Sequence, residues 1–207
     1  TVPGNTRDTL WTEYRSFDQL PIVENPKSGF IQNCNSDPFQ TSIGGDNPDE
    51  SAFSKNYGIE KWMTNRARRA VELYGSDESI THDEFFLYKY DKLYSEKSNL
   101  RRQVADFVEA QAGNSVLKKE IDLLRQWNGE TTKDNRSAAL VLLTFRPRSN
   151  SSKLKTGHER TLEQLQRASE NLVKHFGQID VEWRKVNRLV RGDKNLPLGG
   201  GPDTLRA

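Results

Sequence analysis

The amino-acid sequence predicts a mainly α-helical chain, a multi-helix domain with one short β-strand near residues 29–34. Three observations support this class. Residues 162–176 carry an apolar stripe at helical spacing. Residues 81–84 have the Thr-x-x-Glu pattern of a helix capping box. An aromatic and a β-branched residue inside 29–34 stand between turn signals, which favours a half-buried strand.

Residues 1–50 are predicted to form an irregular segment around that strand. If the strand continued, the side chains of Asn33, Asn35 and Asp37 would alternate and point to one side. A side-chain amide in such a position can donate a hydrogen bond to developing negative charge, as in an oxyanion hole. Composition alone favours an ordinary turn, because Asn, Ser, Asp and Pro are common loop residues.

The remaining chain is divided by its helix and loop signals. Residues 51–147 are predicted to be a helical domain, ended by Pro147, which bars continuation of the last helix. A serine-rich polar linker is predicted at 148–158, followed by a helical pair at 159–192. Residues 193–207 are rich in Gly and Pro and are predicted to be a flexible tail.

Charge and hydropathy exclude two classes of partner. Lysine plus arginine (31) nearly balances aspartate plus glutamate (29), so the net charge is only +2 and gives no electrostatic footprint for nucleic acid. The longest apolar run, 138–143, is far shorter than a membrane span. Hydrophobic residues are 33% of the chain, which fits a surface-rich domain or a piece whose buried partners lie elsewhere.

Cysteine and histidine offer no strong candidate site. Cys34 is the single cysteine, so an internal disulfide and a thiolate zinc site are excluded. We interpret it as a small buried side chain rather than a nucleophile, since the nearest histidine in sequence is His82. The spacing of His82, His158 and His175 does not match a metal-ligand pattern.

Two runs, one near each end of the chain, carry specific motifs. The first reads Trp11…Tyr14…Phe17…Leu20-Pro21…Asn25-Pro26-Lys27-Ser28-Gly29-Phe30-Ile31-Gln32-Asn33-Cys34-Asn35-Ser36-Asp37-Pro38. The second reads Arg191-Gly192-Asp193…Leu196-Pro197-Leu198-Gly199-Gly200-Gly201-Pro202-Asp203-Thr204-Leu205. The first run resembles the mid-β-chain motif of the penicillin acylase family of N-terminal-nucleophile amidohydrolases, and the second is similar to the acyl-homoserine-lactone and aculeacin acylase branch of that family. The resemblance implies a β-chain segment of a larger αββα hydrolase.

The resemblance also implies two catalytic residues. The family's oxyanion asparagine falls on Asn35, although Ser36 follows where many relatives have asparagine. A family arginine falls on Arg66, and its implied role is to orient the asparagine and the α-amine of the nucleophile by charge-assisted hydrogen bonds. Arg68 or Arg69 would take this role if the intervening loop differed in length.

The attacking group is expected to lie outside this chain. The family uses an N-terminal Ser, Cys or Thr whose α-amine serves as the base. Thr1 is followed by Pro3-Gly4, which suits a buried catalytic strand poorly. We therefore expect an excised segment that is inactive by itself. The alternative is a stand-alone, non-catalytic helical binding or scaffold domain.

The implied context is a periplasmic or secreted enzyme that hydrolyses linear amides such as N-acyl-homoserine lactones, lipopeptides or penicillins. Its partners would be the remaining α- and β-chain segments and a small-molecule amide, with no nucleic acid and no membrane. No cofactor is predicted. The resemblance implies a structural calcium ion in the parent enzyme, with no ligands assigned to this segment.

Overall fold

The computed structural model describes residues 3–10, 12–145 and 157–205. Short 3-10 turns occupy the first third of the chain, and helices and one hairpin follow. The elements are α1 (Asn65–Tyr74), α2 (His82–Lys89), α3 (Asn99–Ala110), α4 (Lys118–Arg125), α5 (Ala138–Thr144), α6 (His158–Phe176), α7 (Trp183–Val186), β1 (Arg188–Arg191) and β2 (Lys194–Pro197). The predicted mainly α class is confirmed.

Helix α5 lies at the centre of the core. Its sequence is almost entirely apolar, and nearly all its side chains are buried, as expected for a helix without a polar face. It packs against α6, whose apolar stripe contributes Leu165, Ala168 and Leu172. Phe107 of α3 and Leu124 of α4 close the same core. The helical part therefore buries its own apolar surface.

The capping box predicted at residues 81–84 is confirmed. At the start of α2, Thr81 Oγ1 accepts from the Glu84 backbone N–H (3.3 Å) and Glu84 accepts from the Thr81 N–H (2.9 Å), which forms the capping box. Helix α6 ends at Gly177, which has φ +75° and so adopts the left-handed conformation that favours glycine.

The predicted strand at 29–34 is wrong. This segment is extended but forms no β-ladder with any described part of the chain. Within that part, its one backbone hydrogen bond of the kind that joins two strands runs from the Gln32 N–H to Thr41 O at 2.8 Å. Asn35 has φ +57°, so Asn33, Asn35 and Asp37 do not alternate along a strand. Polar side chains satisfy the backbone here in place of a β-ladder.

The predictions for the last third of the chain also need correction. The second helix of the pair expected at 159–192 ends at Val186, and β1 pairs antiparallel with β2 across a two-residue turn that begins at Gly192 (φ +57°). The expected flexible tail is ordered through residue 205: Trp183 Nε1 donates to Gly200 O (2.6 Å), and Thr204 is fully buried. Most of the predicted linker, 148–156, lies outside the described residues.

None of the helices in the described ranges has both the length and the hydropathy that crossing a bilayer requires.

Candidate active site

The loop that carries Asn35 is built around a buried glutamine. Gln32 Nε2 donates to Gln40 O (2.6 Å) and to Ser36 Oγ (2.8 Å), while its Oε1 accepts from the Cys34 N–H (3.0 Å). The side-chain amide of Gln32 therefore stabilises the loop through three hydrogen bonds. The loop has a defined shape without belonging to a sheet.

Asn35 lies at the bend of this loop, and only the oxygen of its side-chain amide has a hydrogen-bond partner in the described ranges. Its side-chain oxygen Oδ1 accepts a hydrogen bond from Arg66 Nη2 at 2.6 Å. Its backbone is left-handed (φ +57°), a conformation that asparagine tolerates better than most residues. Its Nδ2 group has no acceptor among the residues that the structure describes, so both N–H bonds remain available as donors.

The start of α1 is joined to the Asn35 loop by Thr64. Thr64 Oγ1 caps the helix by accepting from the Ala67 N–H (3.1 Å). The same hydroxyl donates to Cys34 O at 2.7 Å. The backbone that precedes Asn35 and the first turn that carries Arg66 are thus held by one residue.

Asp203 lies at the same helix terminus. Its Oδ2 accepts from the Asn65 backbone N–H (2.7 Å), and its Oδ1 accepts from Arg66 Nε (3.3 Å). A carboxylate is electrostatically favoured here because the helix dipole is positive at its N-terminus. The side chains of Arg66 and Asp203 are 34% and 36% exposed, so solvent screens part of this attraction.

Asn65 connects this cluster to the interior. Its Nδ2 donates to Leu93 O (3.1 Å) and Asp203 O (2.9 Å), and its Oδ1 accepts from the Ser95 N–H (2.9 Å). The residue is buried, and all three bonds reach distant parts of the chain. The helix terminus is therefore fixed to the core.

The structure distinguishes among the three candidate arginines. Arg66 contacts Asn35, whereas Arg69 forms a half-buried ion pair with Asp91 (2.9 Å), which raises the pKa of Arg69. Within the described ranges the Arg68 side chain has no hydrogen bond or ion pair. The residues named from the resemblance, Asn35 and Arg66, are thus brought together, and their catalytic roles remain predictions.

The thiol of Cys34 is close to this cluster but is not activated by it. Burial raises the pKa of Cys34, and the opposing effect of Arg66 is smaller than the burial effect; Asp203 raises the pKa further. A thiol with a raised pKa is a poor nucleophile at neutral pH. Cys34 is half-buried rather than fully buried as predicted, and its raised pKa argues against a nucleophilic role.

The rate at which iodoacetamide alkylates Cys34 is expected to rise with pH, and the midpoint of this rise should lie above the ordinary thiol pKa of about 8.5. The reason is the desolvation of its thiolate. The measurement is the iodoacetamide reaction rate from pH 6 to 11, with N-acetylcysteinamide, which has no charged group beside its thiol, as the reference. A midpoint at or below that of the reference would contradict the assignment and make Cys34 a nucleophile candidate again.

The histidines are not part of this cluster. His82 stacks near Phe86 in α2, and His158 contacts Phe107 at the start of α6. Among the described residues, no group of three or more His, Cys, Asp or Glu side chains is arranged to hold a metal ion.

A cleft of about 380 Å³ adjoins the cluster on the side of Asp203. It is bounded by the residues before α1, the start of α3 and the turn at 202–203. The lining side chains include Trp62, Thr64, Asn65, Tyr94, Leu100, Phe145 and Asp203. Several of these are apolar, so the cleft offers a mixed surface to a small molecule.

Sequence reasoning missed the roles of Thr64, Asn65 and Asp203. Thr64 carried a local signal, since threonine directly before a helix is a preferred N-cap. Asp203 lies in the second family motif, but nothing local points to its partner Arg66, which is 137 positions away.

A comparison with known protein families identifies the family of the chain. The sequence model described as penicillin amidase matches residues 1–207, the whole chain. The chain belongs to the penicillin amidase family, whose members are amide-hydrolysing enzymes of the N-terminal-nucleophile class.

Proposed function

We propose that this chain is a β-chain segment of an N-terminal-nucleophile acylase, of the acyl-homoserine-lactone and aculeacin branch. In this proposal it supplies Asn35 as the oxyanion donor, Arg66 as the group that orients Asn35, and a wall of the substrate pocket. The observation that carries the proposal is the 2.6 Å bond from Arg66 Nη2 to Asn35 Oδ1, which leaves the Asn35 Nδ2 donors available.

The chemistry assigned to Asn35 is stabilisation of charge. When a nucleophile attacks the amide carbonyl, the oxygen becomes negative and accepts a hydrogen bond from Nδ2. Loss of such a donor typically costs about 100- to 1000-fold in rate. Because the Arg66 cation polarises the Asn35 amide through Oδ1, it makes Nδ2 a stronger donor. The C–N bond then breaks, the amine leaves with a proton from the base, and water hydrolyses the acyl-enzyme.

The nucleophile in this proposal comes from outside the described residues. Cys34, the nearest thiol, is deactivated by burial. The exposed position of Asn35 also supports a covering partner, because an oxyanion donor works best where water is excluded. Exposed Tyr14 and Phe17 in the irregular first segment offer apolar surface to the remaining acylase chains.

The substrate is proposed to be a linear amide such as an N-acyl-homoserine lactone, a lipopeptide or a penicillin. The match to the penicillin amidase family supports amide substrates. The 380 Å³ cleft, lined by Asp203 but not by Asn35 or Arg66, adds apolar walls from Trp62, Leu100 and Phe145 that suit an acyl chain. The family resemblance supports a periplasmic or secreted parent enzyme.

The test compares the assembled parent enzyme with this chain alone on a panel of these three amides. We expect the parent to release the amine product, detected by chromatography, and the chain alone to give no turnover. Absence of turnover by the parent on every member of the panel would contradict the proposal and favour a non-catalytic helical binding domain. Turnover by the chain alone would contradict an external nucleophile.

A further inference from the structure

Asp203 lies in the second family motif without an assigned role, yet among the described residues it is one of two that hydrogen-bond the Arg66 guanidinium; the other is Asn35. We infer that Asp203 is a positioning residue that aims the amide of Asn35 by fixing the plane of Arg66. This inference rests on the proposed function, since it concerns the oxyanion donor of the same site.

The geometry forms a continuous relay from Asp203 to Asn35. Asp203 Oδ1 accepts from Arg66 Nε (3.3 Å), and Arg66 Nη2 donates to Asn35 Oδ1 (2.6 Å). A guanidinium is planar, so fixing the direction of Nε–H limits the directions that Nη2 can take. The orientation of the Asn35 amide then follows from the position of Asp203.

Asp203 is itself held rigidly. Its backbone is left-handed (φ +67°), and its carbonyl accepts from Asn65 Nδ2 (2.9 Å). On one side, the Tyr94 hydroxyl donates to Pro202 O. On the other, buried Thr204 Oγ1 accepts from the Gly201 N–H (3.0 Å). The carboxylate therefore sits on a turn that is fixed before it meets Arg66.

The positioning role is separable from helix capping. Thr64 already caps α1 through the Ala67 N–H, and Asp203 additionally accepts from the Asn65 N–H. In Asp203→Asn, the remaining carboxamide oxygen can still accept from Asn65, and asparagine tolerates the left-handed backbone. The amide N–H₂ group would then face Arg66 Nε, and two donors do not bond. This variant breaks the relay while it keeps the cap.

The experiment measures kcat, KM and Tm of Asp203→Asn in the assembled enzyme. We expect kcat to fall about 5- to 20-fold, as for loss of one partly exposed charge-assisted bond, with KM and Tm little changed. In an Arg66→Ala background the same substitution is expected to cause no further loss, because the relay is already broken. The matched control is Asp180→Asn, which removes a partly exposed ion-pair partner of Arg136 (3.3 Å) and touches no bond of the Asn35, Arg66 and Asp203 cluster.

If the losses of kcat from Asp203→Asn and Arg66→Ala multiply in the double variant, the inference is overturned. A lowered Tm with unchanged kcat in Asp203→Asn would overturn it as well. A crystal structure of the Asp203→Asn enzyme gives a readout that needs no activity. We expect the Arg66 Nη2 to Asn35 Oδ1 separation to exceed about 3.5 Å, beyond hydrogen-bond range. If the Arg66 guanidinium does not move in this structure, the inference is overturned. If the wild-type enzyme lacks amidase activity, the proposed function is contradicted, and the crystal structure of the variant still decides whether Asp203 positions Arg66.

Discussion

Asn35→Gly is expected to lower kcat for amide hydrolysis by the assembled enzyme about 100- to 1000-fold. Glycine adopts the φ of +57° at this position without strain, so the substitution removes the donor and spares the backbone. KM should change little, because the charge on the carbonyl oxygen develops only in the transition state. Asn35→Ala would combine the loss of the donor with backbone strain, because the left-handed conformation costs alanine about 1 kcal/mol.

Two asparagine variants sharpen this result. Asn35→Asp keeps the shape of the side chain and the bond from Arg66 but replaces the N–H₂ donor with an anionic oxygen, so its kcat should fall at least as far. Asn25 is the matched control, because it is another left-handed asparagine (φ +47°) outside the cluster. We expect Asn25→Gly to retain wild-type turnover. Wild-type turnover in Asn35→Gly would remove Asn35 from the mechanism.

Arg66→Ala is expected to lower kcat about 10- to 100-fold, which corresponds to the loss of a charge-assisted hydrogen bond of about 1.5–3 kcal/mol. Without the guanidinium, the Asn35 amide rotates freely and Nδ2 is no longer aimed at one point. Arg66→Lys should not restore the rate, because a lysine ammonium cannot bond Asp203 and Asn35 through one rigid plane. Steady-state kinetics of the two variants measures both effects.

The neighbouring arginines serve as controls for Arg66. Arg68→Ala is expected to keep wild-type kcat, since the Arg68 side chain has no hydrogen bond or ion pair in the described part of the chain. Arg69→Ala should instead lower Tm, because it leaves Asp91, only 14% exposed, without its partner. A larger loss of kcat in Arg68→Ala than in Arg66→Ala would reverse the assignment of the family arginine.

The helices could be predicted because their signals are local. The capping box at Thr81, the glycine stop at Gly177 and the apolar stripe of α6 each depend on residues within a few positions. The strand at 29–34 was predicted wrongly because propensity cannot say whether a partner strand exists. There the side chain of Gln32 satisfies the loop backbone in its place.

The candidate site was predictable only in part. The family motif located Asn35 and Arg66, and the structure places them in contact. The N-cap preference could have identified Thr64. The second family motif contains Asp203, but no local pattern shows that its partner is Arg66. A carboxylate that acts across the fold is visible only when the fold is known.

The separation of 137 positions between Arg66 and Asp203 has a consequence for the order of folding. The loop closed by Gln32 and Gln40 spans eight residues, so its closure costs little conformational entropy. The contact between Asp203 and Arg66 is expected to form only after most of the intervening helices have packed. We expect the amide hydrogen of Asn65 to gain protection late in pulse-labelled refolding. Such timing would leave the amide of Asn35, the proposed oxyanion donor, without a fixed orientation in incompletely folded molecules, so that only the complete fold would be active.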